Sequence, residues 1–377
     1  MATRVAIIGG GIIGCSAATM LAERGASVSV FEATALGAGA SGRNLGSVQH
    51  PYDAELEPLH YESVEHYRRL AEGVRTFAFP QRPAGVLLVA EDADGLRAHA
   101  RQLEAALPAL RAEFVPDHQL RKLEPAIASR IAAVRLETGY PIRPEAAVEA
   151  FAELGRRRGV EFRIGDVARP MVENGVARGV RLSDGRTVTA DLVLVASGPW
   201  TPEVMSPDGS WRPIQRTWGV TLTLELPDPP RHTLEEEEIG EVAPGGDFRW
   251  QVPSEERAAF SLATAAGRSA LGSTFFPTEP DPVGVEPLLL ERARRFVPAV
   301  ALASILVRRI CARPQSVDGR PYIGAFPDTE GLFVCAGHGP WGISTGPGSA
   351  RMVVDAMLDS TAAAIPPPLN ASRPVPG

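Results

Sequence analysis

The sequence predicts an α/β protein in which a parallel sheet with flanking helices receives an inserted α+β region built on an antiparallel sheet. Three observations predict this fold class. An apolar run, a glycine-rich turn, a helical stretch and a second apolar run follow one another in residues 4–32, which is the order of a βαβ unit. Segments of the same type return at 144–200 and 311–360. The chain between these two segments is rich in short strands and turns.

The composition is that of a globular protein large enough for two lobes. The chain has 377 residues, 44% of them hydrophobic, and a formal net charge of −7. An acidic balance disfavours nucleic-acid and anionic-membrane partners, which bind basic surfaces. The cysteines, Cys15, Cys311 and Cys335, are too widely spaced for a metal site or a disulfide framework. With no apolar stretch near the ~20 residues of a membrane span, we expect a cytoplasmic protein without metal.

The first glycine-rich turn has the spacing G-x-G-x-x-G, with glycines at positions 9, 11 and 14. The first permits a tight turn, the second lets the backbone approach a pyrophosphate, and the third lets helix and strand pack closely. Glu32 ends the second apolar run, 18 positions further on (32 − 14), where an acid accepts hydrogen bonds from a ribose. This pattern predicts a Rossmann-like site for the ADP part of a dinucleotide. The predicted contacts are Gly9, Gly11, Ile12, Ile13, Gly14, Glu32 and Ala33.

A second glycine-rich loop follows directly, with the sequence GAGASGRNLG at 37–46. Such a loop leaves backbone N–H groups free and permits close approach of a ligand. Arg43 can neutralise a phosphate or a reduced ring. Because the loop comes directly after the acid at position 32, it predicts a second contact with the cofactor. The predicted contacts are Ser41, Arg43, Asn44, Leu45 and Gly46.

Near the C-terminus an apolar run at 332–336 leads into the sequence GHGPWG at 337–342, and a helical stretch follows. The N-terminus of a helix stabilises negative charge that develops on a ligand. A flavin ring acquires such charge when it accepts a hydride, whereas a nicotinamide enzyme needs no such platform. The segment therefore favours a flavin. The predicted contacts are Gly337, His338, Gly339, Trp341, Gly342 and Ile343.

These motifs together resemble the superfamily of flavin-dependent D-amino-acid oxidases, glycine oxidases and sarcosine oxidases. Besides the segments above, the resemblance rests on ASGPW at 196–200 and on the block from Arg313-Pro314 to Asp318-Gly319-Arg320-Pro321-Tyr322-Ile323-Gly324. It implies that the dinucleotide is FAD. Further cofactor contacts are then expected at Val167, Ala196, Ser197, Gly198, Trp200 and Arg313.

The pattern along the chain divides it between two domains. We expect a discontinuous, Rossmann-like FAD-binding domain that comprises residues 1–80, 141–215 and 311–362. The inserted substrate domain would comprise residues 81–140 and 216–310. A Pro/Glu-rich stretch at 227–246 contains the run Glu235 to Glu238 and predicts a solvated loop. The Pro/Ala-rich residues 363–377 predict a disordered tail.

The resemblance also implies roles at the substrate end of the site. Arg313 would bind a substrate carboxylate, since a guanidinium matches a carboxylate with two parallel hydrogen bonds; a structural ion pair is the alternative. Trp250 would face the substrate or pack in the core. His50 and His338 would border the active site or be structural. Cys311 lies where some relatives attach FAD through a thioether, but we expect non-covalent FAD and keep the covalent link as the alternative.

The implied activity is an FAD-dependent oxidation of the C–N bond of an amino acid or secondary amine that bears a carboxylate. Hydride would pass to flavin N5 and give an imine, with O2 or another acceptor taking the electrons. Sarcosine-oxidase-like enzymes activate oxygen with a lysine, and the only lysine here is Lys122, in another region. Two alternatives stay open: a 2-hydroxy acid dehydrogenase or biosynthetic flavin oxidase on the same fold, or the FAD subunit of a heteromeric amino-acid or opine-type dehydrogenase. An oligomer or a partner subunit would fit these alternatives.

Overall fold

The computed structural model describes residues 2–237, 257–359 and 364–375. Its strands are β1 (Arg4–Ile8), β2 (Ser27–Glu32), β3 (Ser47–Val48), β4 (Val86–Ala90), β5 (Glu113–Val115), β6 (Ala132–Leu136), β7 (Tyr140–Pro141), β8 (Glu161–Ile164), β9 (Ala168–Glu173), β10 (Val176–Leu182), β11 (Thr187–Thr189), β12 (Leu192–Val195), β13 (Ile214–Glu225), β14 (Thr233–Glu236), β15 (Arg257–Ala265), β16 (Arg268–Phe275), β17 (Ser304–Ser316), β18 (Tyr322–Ala325) and β19 (Leu332–Ala336). Its α-helices are α1 (Ile12–Glu23), α2 (Ala40–Arg43), α3 (Glu57–Gly73), α4 (Ala93–Ala106), α5 (Asp117–Leu123), α6 (Pro144–Arg157), α7 (Thr201–Met205), α8 (Pro282–Phe296) and α9 (Gly342–Leu358).

The first sheet has six strands in the order β18-β19-β12-β1-β2-β8. Its neighbours are parallel except β18, which runs antiparallel to β19. The central strand β1 is buried from Val5 to Ile8, because helices cover the sheet and a parallel strand is apolar on both faces. Its core continues into α1 and α9 through buried residues such as Leu21 and Val353. The predicted Rossmann-like half of the α/β fold is confirmed.

The second sheet has eight strands in the order β17-β13-β16-β15-β14-β4-β6-β5. All neighbours are antiparallel except β14 and β4. Helix α8 packs on this sheet, where the rings of Phe260 and Phe296 stack 4.9 Å apart. The strands come from two stretches of chain, 86–136 and 214–316, which lie between the segments of the first sheet. The predicted inserted region with an antiparallel sheet is therefore confirmed.

Two long strands connect the halves of the molecule. β13 and β17 pair antiparallel from Ile214↔Ser316 to Glu225↔Ser304. The predicted domain boundaries at 215/216 and 310/311 fall inside these strands, so no linker separates the two sheets at these positions. The exact division of the chain into domains stays a prediction.

The first two acids of the run at 235–238 do not lie in the solvated loop that its composition predicts. Residues Thr233–Glu236 form β14, and all four are buried. The two carboxylates are buried because Glu235 accepts a hydrogen bond from Gln49 and Glu236 pairs with Arg292. The prediction is wrong for residues 233–236.

The C-terminal residues 364–375 are also not the disordered tail that their Pro/Ala content predicts. Asn370 forms a parallel bridge with Ile323, and Leu369 and Ala371 are buried. Arg373 pairs with both oxygens of Asp318 and donates to three backbone carbonyls. Apolar burial and this arginine hold the segment on β18, which composition alone does not reveal.

We expect the Arg373→Ala variant to lower the free energy of unfolding by about 2–4 kcal/mol, because it leaves Asp318 and several carbonyls without their donor. The Arg373 side chain is only 10% exposed and lies 3.4 Å from the ring centroid of Tyr322. Thermal or urea unfolding measures the change. The control is Arg68→Ala, which breaks an exposed pair with Glu65 and should change stability by about 0.5 kcal/mol or less. Equal losses in the two variants would contradict a packed tail.

Candidate active site

A cavity of about 940 Å³ runs from the carboxyl ends of β1 and β12 to the second sheet. Ligands of open α/β sheets bind at this end of the strands, and the volume suits a large ligand. The wall combines residues within 8–13, 31–49, 166–169, 196–204 and 336–344 with single residues of the second sheet. The two glycine-rich segments and the C-terminal platform therefore meet around one space.

Most of the predicted cofactor contacts line this cavity. They are Gly9, Gly11, Ile12, Ile13, Glu32, Ala33, Ser41, Arg43, Asn44, Leu45, Gly46, Val167, Ala196, Ser197, Gly198, Trp200, Arg313, His338, Gly339, Trp341, Gly342 and Ile343. Among the described residues, the predictions that do not line it are Gly14, Gly337 and His50. Trp250 lies outside the described residues. Binding of a cofactor by the lining residues stays a prediction.

The turn between β1 and α1 depends on its glycines for close backbone approach. Gly9 has φ +114°, and a Cβ there would lie 2.4 Å from the carbonyl oxygen of Ala196. A Cβ at Gly14 would lie 1.9 Å from the carbonyl oxygen of Gly9. Gly14 thus packs the first turn of α1 onto the preceding loop and has no access to the cavity. Its contribution is to the shape of the turn.

Glu32 is held at the end of β2 beside this turn. One carboxylate oxygen accepts from the backbone N–H of Gly10 at 2.8 Å, and the other accepts from the N–H of Thr34 at 2.9 Å. Both bonds fix the carboxylate at the edge of the cavity. A carboxylate in this place can accept hydrogen bonds from a diol.

The loop after β2 is more ordered than its glycine content suggests. Asn44 donates to the carbonyls of Ala40 and Ser41 and accepts from the N–H of Gly46 at 2.8 Å. Arg43 donates to the carbonyl of Ile310 at 2.9 Å. The loop is therefore attached to β17, and Arg43 reaches the cavity from a fixed position.

The C-terminal platform consists of the turn after β19 and the N-terminus of α9. Gly337 and Gly339 have φ +92° and +53°, a conformation that favours glycine. Gly342, Ile343 and Ser344, which begin α9, line the cavity. The unpaired N–H groups of this 17-residue helix give its end a partial positive charge. Gly337 itself packs against Ile214, so its role is to direct the turn.

His338 is buried in the cavity wall as a neutral ring. The hydroxyl of Ser349 donates to Thr345 O, so its oxygen must accept the bond from His338 Nε2 at 2.9 Å. His338 Nδ1 then bears a lone pair, and this buried atom has no partner among the described residues. Burial lowers the pKa of His338 to about 3. His338 lines the cavity as expected, its role in catalysis stays a prediction, and its Nδ1 is placed to accept a hydrogen bond from a ligand.

His50 points away from the cavity. Its backbone N–H donates to Thr138, its Nε2 lies 3.1 Å from Glu57, and its ring lies edge-on to Tyr61. These partners hold His50 in a cluster outside the cavity lining, which agrees with the structural alternative; a role in catalysis stays a prediction. The preceding residue, Gln49, lines the cavity instead.

Arg313 extends into the cavity from β17, across the neighbouring strand. A Cβ at Gly219 of β13 would lie 2.6 Å from Arg313 Nη1, so the side chain passes only because residue 219 is glycine. Nη1 donates to Thr274 O at 2.7 Å, and the guanidinium lies 4.7 Å from the ring centroid of Phe275. No carboxylate of the described residues pairs with it. Arg313 therefore presents charged donors to the cavity.

Sequence reasoning missed several cavity residues on the second sheet and its neighbours. They are Gln49, Thr221, Glu235, Ser273 and Phe275. The alternation of the strand at 270–276 and its position before the arginine block were the only signals for Ser273 and Phe275. Nothing local in the sequence signals Glu235, because its burial depends on Gln49.

Glu235 is a buried acid of the cavity wall that has no cationic partner among the described residues. It is 4% exposed, and one oxygen accepts from Gln49 Nε2 at 2.9 Å. The other oxygen, Oε2, is buried and has no hydrogen-bond partner among the described residues. Burial raises the pKa of Glu235 to about 7, while the bond from Gln49 lowers it. The group therefore holds its proton over a range in which an exposed glutamate is ionised.

We expect the Glu235→Gln variant to gain stability relative to wild type as pH rises from 5 to 8. In wild type the folded state binds more protons than the unfolded chain between about pH 4.5 and pH 7, so stability falls with pH in that window. Removing the titration should give a relative gain of about 2–3 kcal/mol. Unfolding at several pH values measures it. The control is Glu72→Gln on the exposed face of α3, and a gain independent of pH would contradict the shift.

Two further structural findings concern the described residues only. No helix among them has the length and apolar character needed to cross a bilayer. No group of three or more His, Cys, Asp or Glu side chains in the same residues is placed to hold a metal ion.

Comparison with known proteins gives relatives over nearly the full chain. A glycine oxidase of Bacillus licheniformis is 26% identical, with 93% of this chain and 92% of that protein covered. A D-amino acid dehydrogenase of Xanthobacter autotrophicus is also 26% identical, with 93% and 94% covered. The crystal structure of glycine oxidase from Geobacillus kaustophilus superposes with a TM-score of 0.83 at 23% identity, over 99% of this chain and 100% of that one. That likeness supports the fold.

The family model described as FAD dependent oxidoreductase matches residues 4–356. This range contains the glycine turn, Glu32, Arg313 and the start of α9, which are the elements that meet at the cavity. The chain belongs to the FAD-dependent oxidoreductase family.

Proposed function

We propose that the protein oxidises the C–N bond of an amino acid or secondary amine that bears a carboxylate. The observation that supports this most directly is Arg313, a charged side chain that enters the cavity with one backbone partner and no ion pair among the described residues. The names of the relatives, glycine oxidase and D-amino acid dehydrogenase, support the same substrate class.

Arg313 is suited to hold a carboxylate. Its guanidinium has five N–H donors, and the bond to Thr274 O uses only Nη1, so paired donors remain for two carboxylate oxygens. Burial lowers the pKa of Arg313 from its usual value, which reflects the cost of a buried charge without a counter-ion. A bound carboxylate removes that cost, and thereby fixes the carbon next to it.

The residues around the cavity fit FAD. The turn at Gly9 and Gly11 leaves room for a pyrophosphate, and Glu32 can accept from the ribose. At the other end, His338 Nδ1 is a buried acceptor without a partner, and a flavin ring offers an N–H donor. The start of α9 can stabilise negative charge on the ring. FAD bound here supplies the acceptor for the hydride that leaves the substrate carbon bearing the nitrogen.

The chain's own residues orient the substrate and exclude water. Arg313 fixes the carboxylate, and Phe275 provides an apolar surface beside it. With a hydride gone from the carbon and a proton from the nitrogen, the substrate becomes an imine, which hydrolyses to a keto acid or aldehyde and releases ammonia or an amine. Because His338 stays neutral, no imidazolium is available to donate this proton back. The substrate reacts as the free amine, which needs no strong protein base.

The position of the chain's single lysine bears on which electron acceptor the protein uses. Lys122 is the only lysine in the chain, and it is exposed on α5. No lysine side chain can therefore activate oxygen at the cavity. This observation favours a dehydrogenase that passes electrons to another acceptor, including a partner subunit, over a lysine-assisted oxidase.

We expect Arg313→Met to raise KM for the true substrate and to lower kcat/KM by roughly 100-fold or more, since a buried charge pair is worth about 2–5 kcal/mol. A panel of carboxylate-bearing amines and 2-hydroxy acids, followed anaerobically by flavin bleaching, identifies the substrate. The control is Arg308→Met on the same strand, whose side chain pairs with Glu286. An unchanged KM in Arg313→Met would rule out the carboxylate role.

We expect FAD to be released by acid precipitation, leaving the colour in the supernatant. The thiolate is the nucleophile in thioether formation, and burial raises the pKa of the Cys311 thiol although Arg313 and Arg309 oppose this. Cys311 lines the cavity, so its position permits contact. Flavin that stays with the precipitated wild type, but not with Cys311→Ser, would establish the covalent link instead.

A further inference from the structure

Glu235 and Glu236 are adjacent acids with different surroundings. Glu236 has both oxygens bonded to Arg292, at 2.6 and 2.8 Å, and one of them also accepts from the backbone N–H of Phe260. Glu235 faces the other side of β14, where it lines the cavity with Oε2 unpartnered. Buried polar atoms are nearly always hydrogen-bonded, so an exception calls for an explanation. Because Glu235 lines the cavity, a ligand held there can supply the missing partner.

The surroundings of Glu235 orient it without neutralising it. Gln49 donates to Oε1, and the backbone N–H of Gln49 is itself bonded to Ser344 Oγ. Burial raises the pKa of the Tyr52 hydroxyl, and the charge of the neighbouring Glu235 raises it further. No cationic side chain of the described residues pairs with Glu235. The carboxylate therefore stays available to a ligand.

The strand register gives the distance between the backbone at Glu235 and the backbone carbonyl that the Arg313 guanidinium contacts. Glu235 lies opposite Ser261, and Ser261 lies opposite Gly272, which places β16 two strands away. Arg313 binds the carbonyl of Thr274, two residues further along β16. Two strand spacings and two residues of rise separate these backbone positions by about 12 Å. Side chains shorten this gap, but each group bonds elsewhere among the described residues, Arg313 to Thr274 and Glu235 to Gln49.

This separation favours a ligand longer than a single α-amino-carboxylate group as the bridge between the two residues. In an α-amino acid one carbon joins the amine to the carboxylate, whereas a second nitrogen group further along the ligand spans a longer gap. Glu235 and Arg313 line the same cavity, so one ligand can contact both. A buried carboxylate there is satisfied by a cation with N–H donors.

We propose that Glu235 determines substrate specificity by binding a second, positively charged nitrogen group at the end of the substrate remote from its carboxylate. The preferred substrates are then basic amino acids or their N-substituted derivatives. This inference rests on the proposed function, because Arg313 has to fix the carboxylate end. Burial raises the pKa of Glu235 to about 7 in the absence of a ligand, and a cation bound beside the carboxyl would lower it by stabilising the ionised form.

Matched pairs of ligands test the proposal. Arginine against citrulline, and lysine against norleucine, compare similar shapes with and without the distal charge, each in the D and L forms. The proteins are the FAD-loaded wild type, Glu235→Gln and the control Glu237→Gln. Glu237 belongs to the same acidic run but pairs with His99 and does not line the cavity. Two readouts are used: kcat/KM by flavin reduction, and the ligand-induced shift in Tm, which needs no turnover.

We expect wild type and Glu237→Gln to prefer the charged member of each pair by 10-fold or more. Glu235→Gln should lose this preference through a drop for the charged member alone, with the neutral member unchanged. A preference absent in wild type, or retained in Glu235→Gln, would overturn the proposal. An equal loss for charged and neutral members would also overturn it, because it would place Glu235 at the reacting amine.

The two readouts separate this inference from the proposed function. Turnover of amines without any charge preference leaves the function in place and refutes the inference. A Tm shift that depends on both charge and Glu235, without turnover of any amine, supports the binding site and refutes the function. An unchanged flavin spectrum and a single cooperative unfolding transition in Glu235→Gln without ligand show that the variant is folded.

Discussion

The antiparallel pairing of β13 with β17 is the constraint on which the rest of the structure depends. The ladder runs from Ile214↔Ser316, next to the first sheet, to Glu225↔Ser304 at the far side of the second, with one register shift between Thr223 and Leu224. Its register sets Gly219 opposite Cys311 and lets the Arg313 side chain cross β13 at the glycine. The loop that bears Arg43 is attached to β17 at Ile310. One ladder therefore positions the cavity's cationic residues relative to both sheets.

Two ionisable side chains of the cavity wall are buried at a cost to the stability of the folded protein. Arg313 and Glu235 are both buried without a counter-ion among the described residues, whereas Glu236 and Asp53 are paired with Arg292 and Arg320. Pairing Arg313 with Glu235 directly would remove the cost to both, but β15 lies between β14, which bears Glu235, and β16, whose Thr274 carbonyl Arg313 contacts. Unpaired charges that persist in a protein are typical of binding sites, because a ligand supplies the missing partners.

The part of the site that the sequence could predict is the part formed by local contacts. Gly14 and Glu32 act on backbone within about 30 positions, so spacing alone predicts their geometry, whereas the close approach of Gly9 is to Ala196, 187 positions away (196 − 9). Glu235 depends on Gln49, 186 positions earlier, and no local pattern distinguishes such a buried acid from a solvated one. The prediction of a disordered tail was wrong for the same reason, because Arg373 pairs with Asp318, 55 positions away. Gln49 lines the cavity and the next residue, His50, does not. The sequence of this short segment does not indicate which of the two is on the cavity side.

The separation of the two charged groups bears on how catalysis and specificity are linked. A ligand bound at Arg313 alone can rotate about that single anchor, whereas one bound at both ends has its central carbon and nitrogen fixed. Fixing the reacting atoms lowers the entropic part of the barrier, so the distal contact acts on the chemical step as well as on binding. Under the proposed function, a substrate without the distal charge is then a poorer substrate in kcat as well as in KM. The specificity of the enzyme would arise from the strand register that sets the two anchors apart.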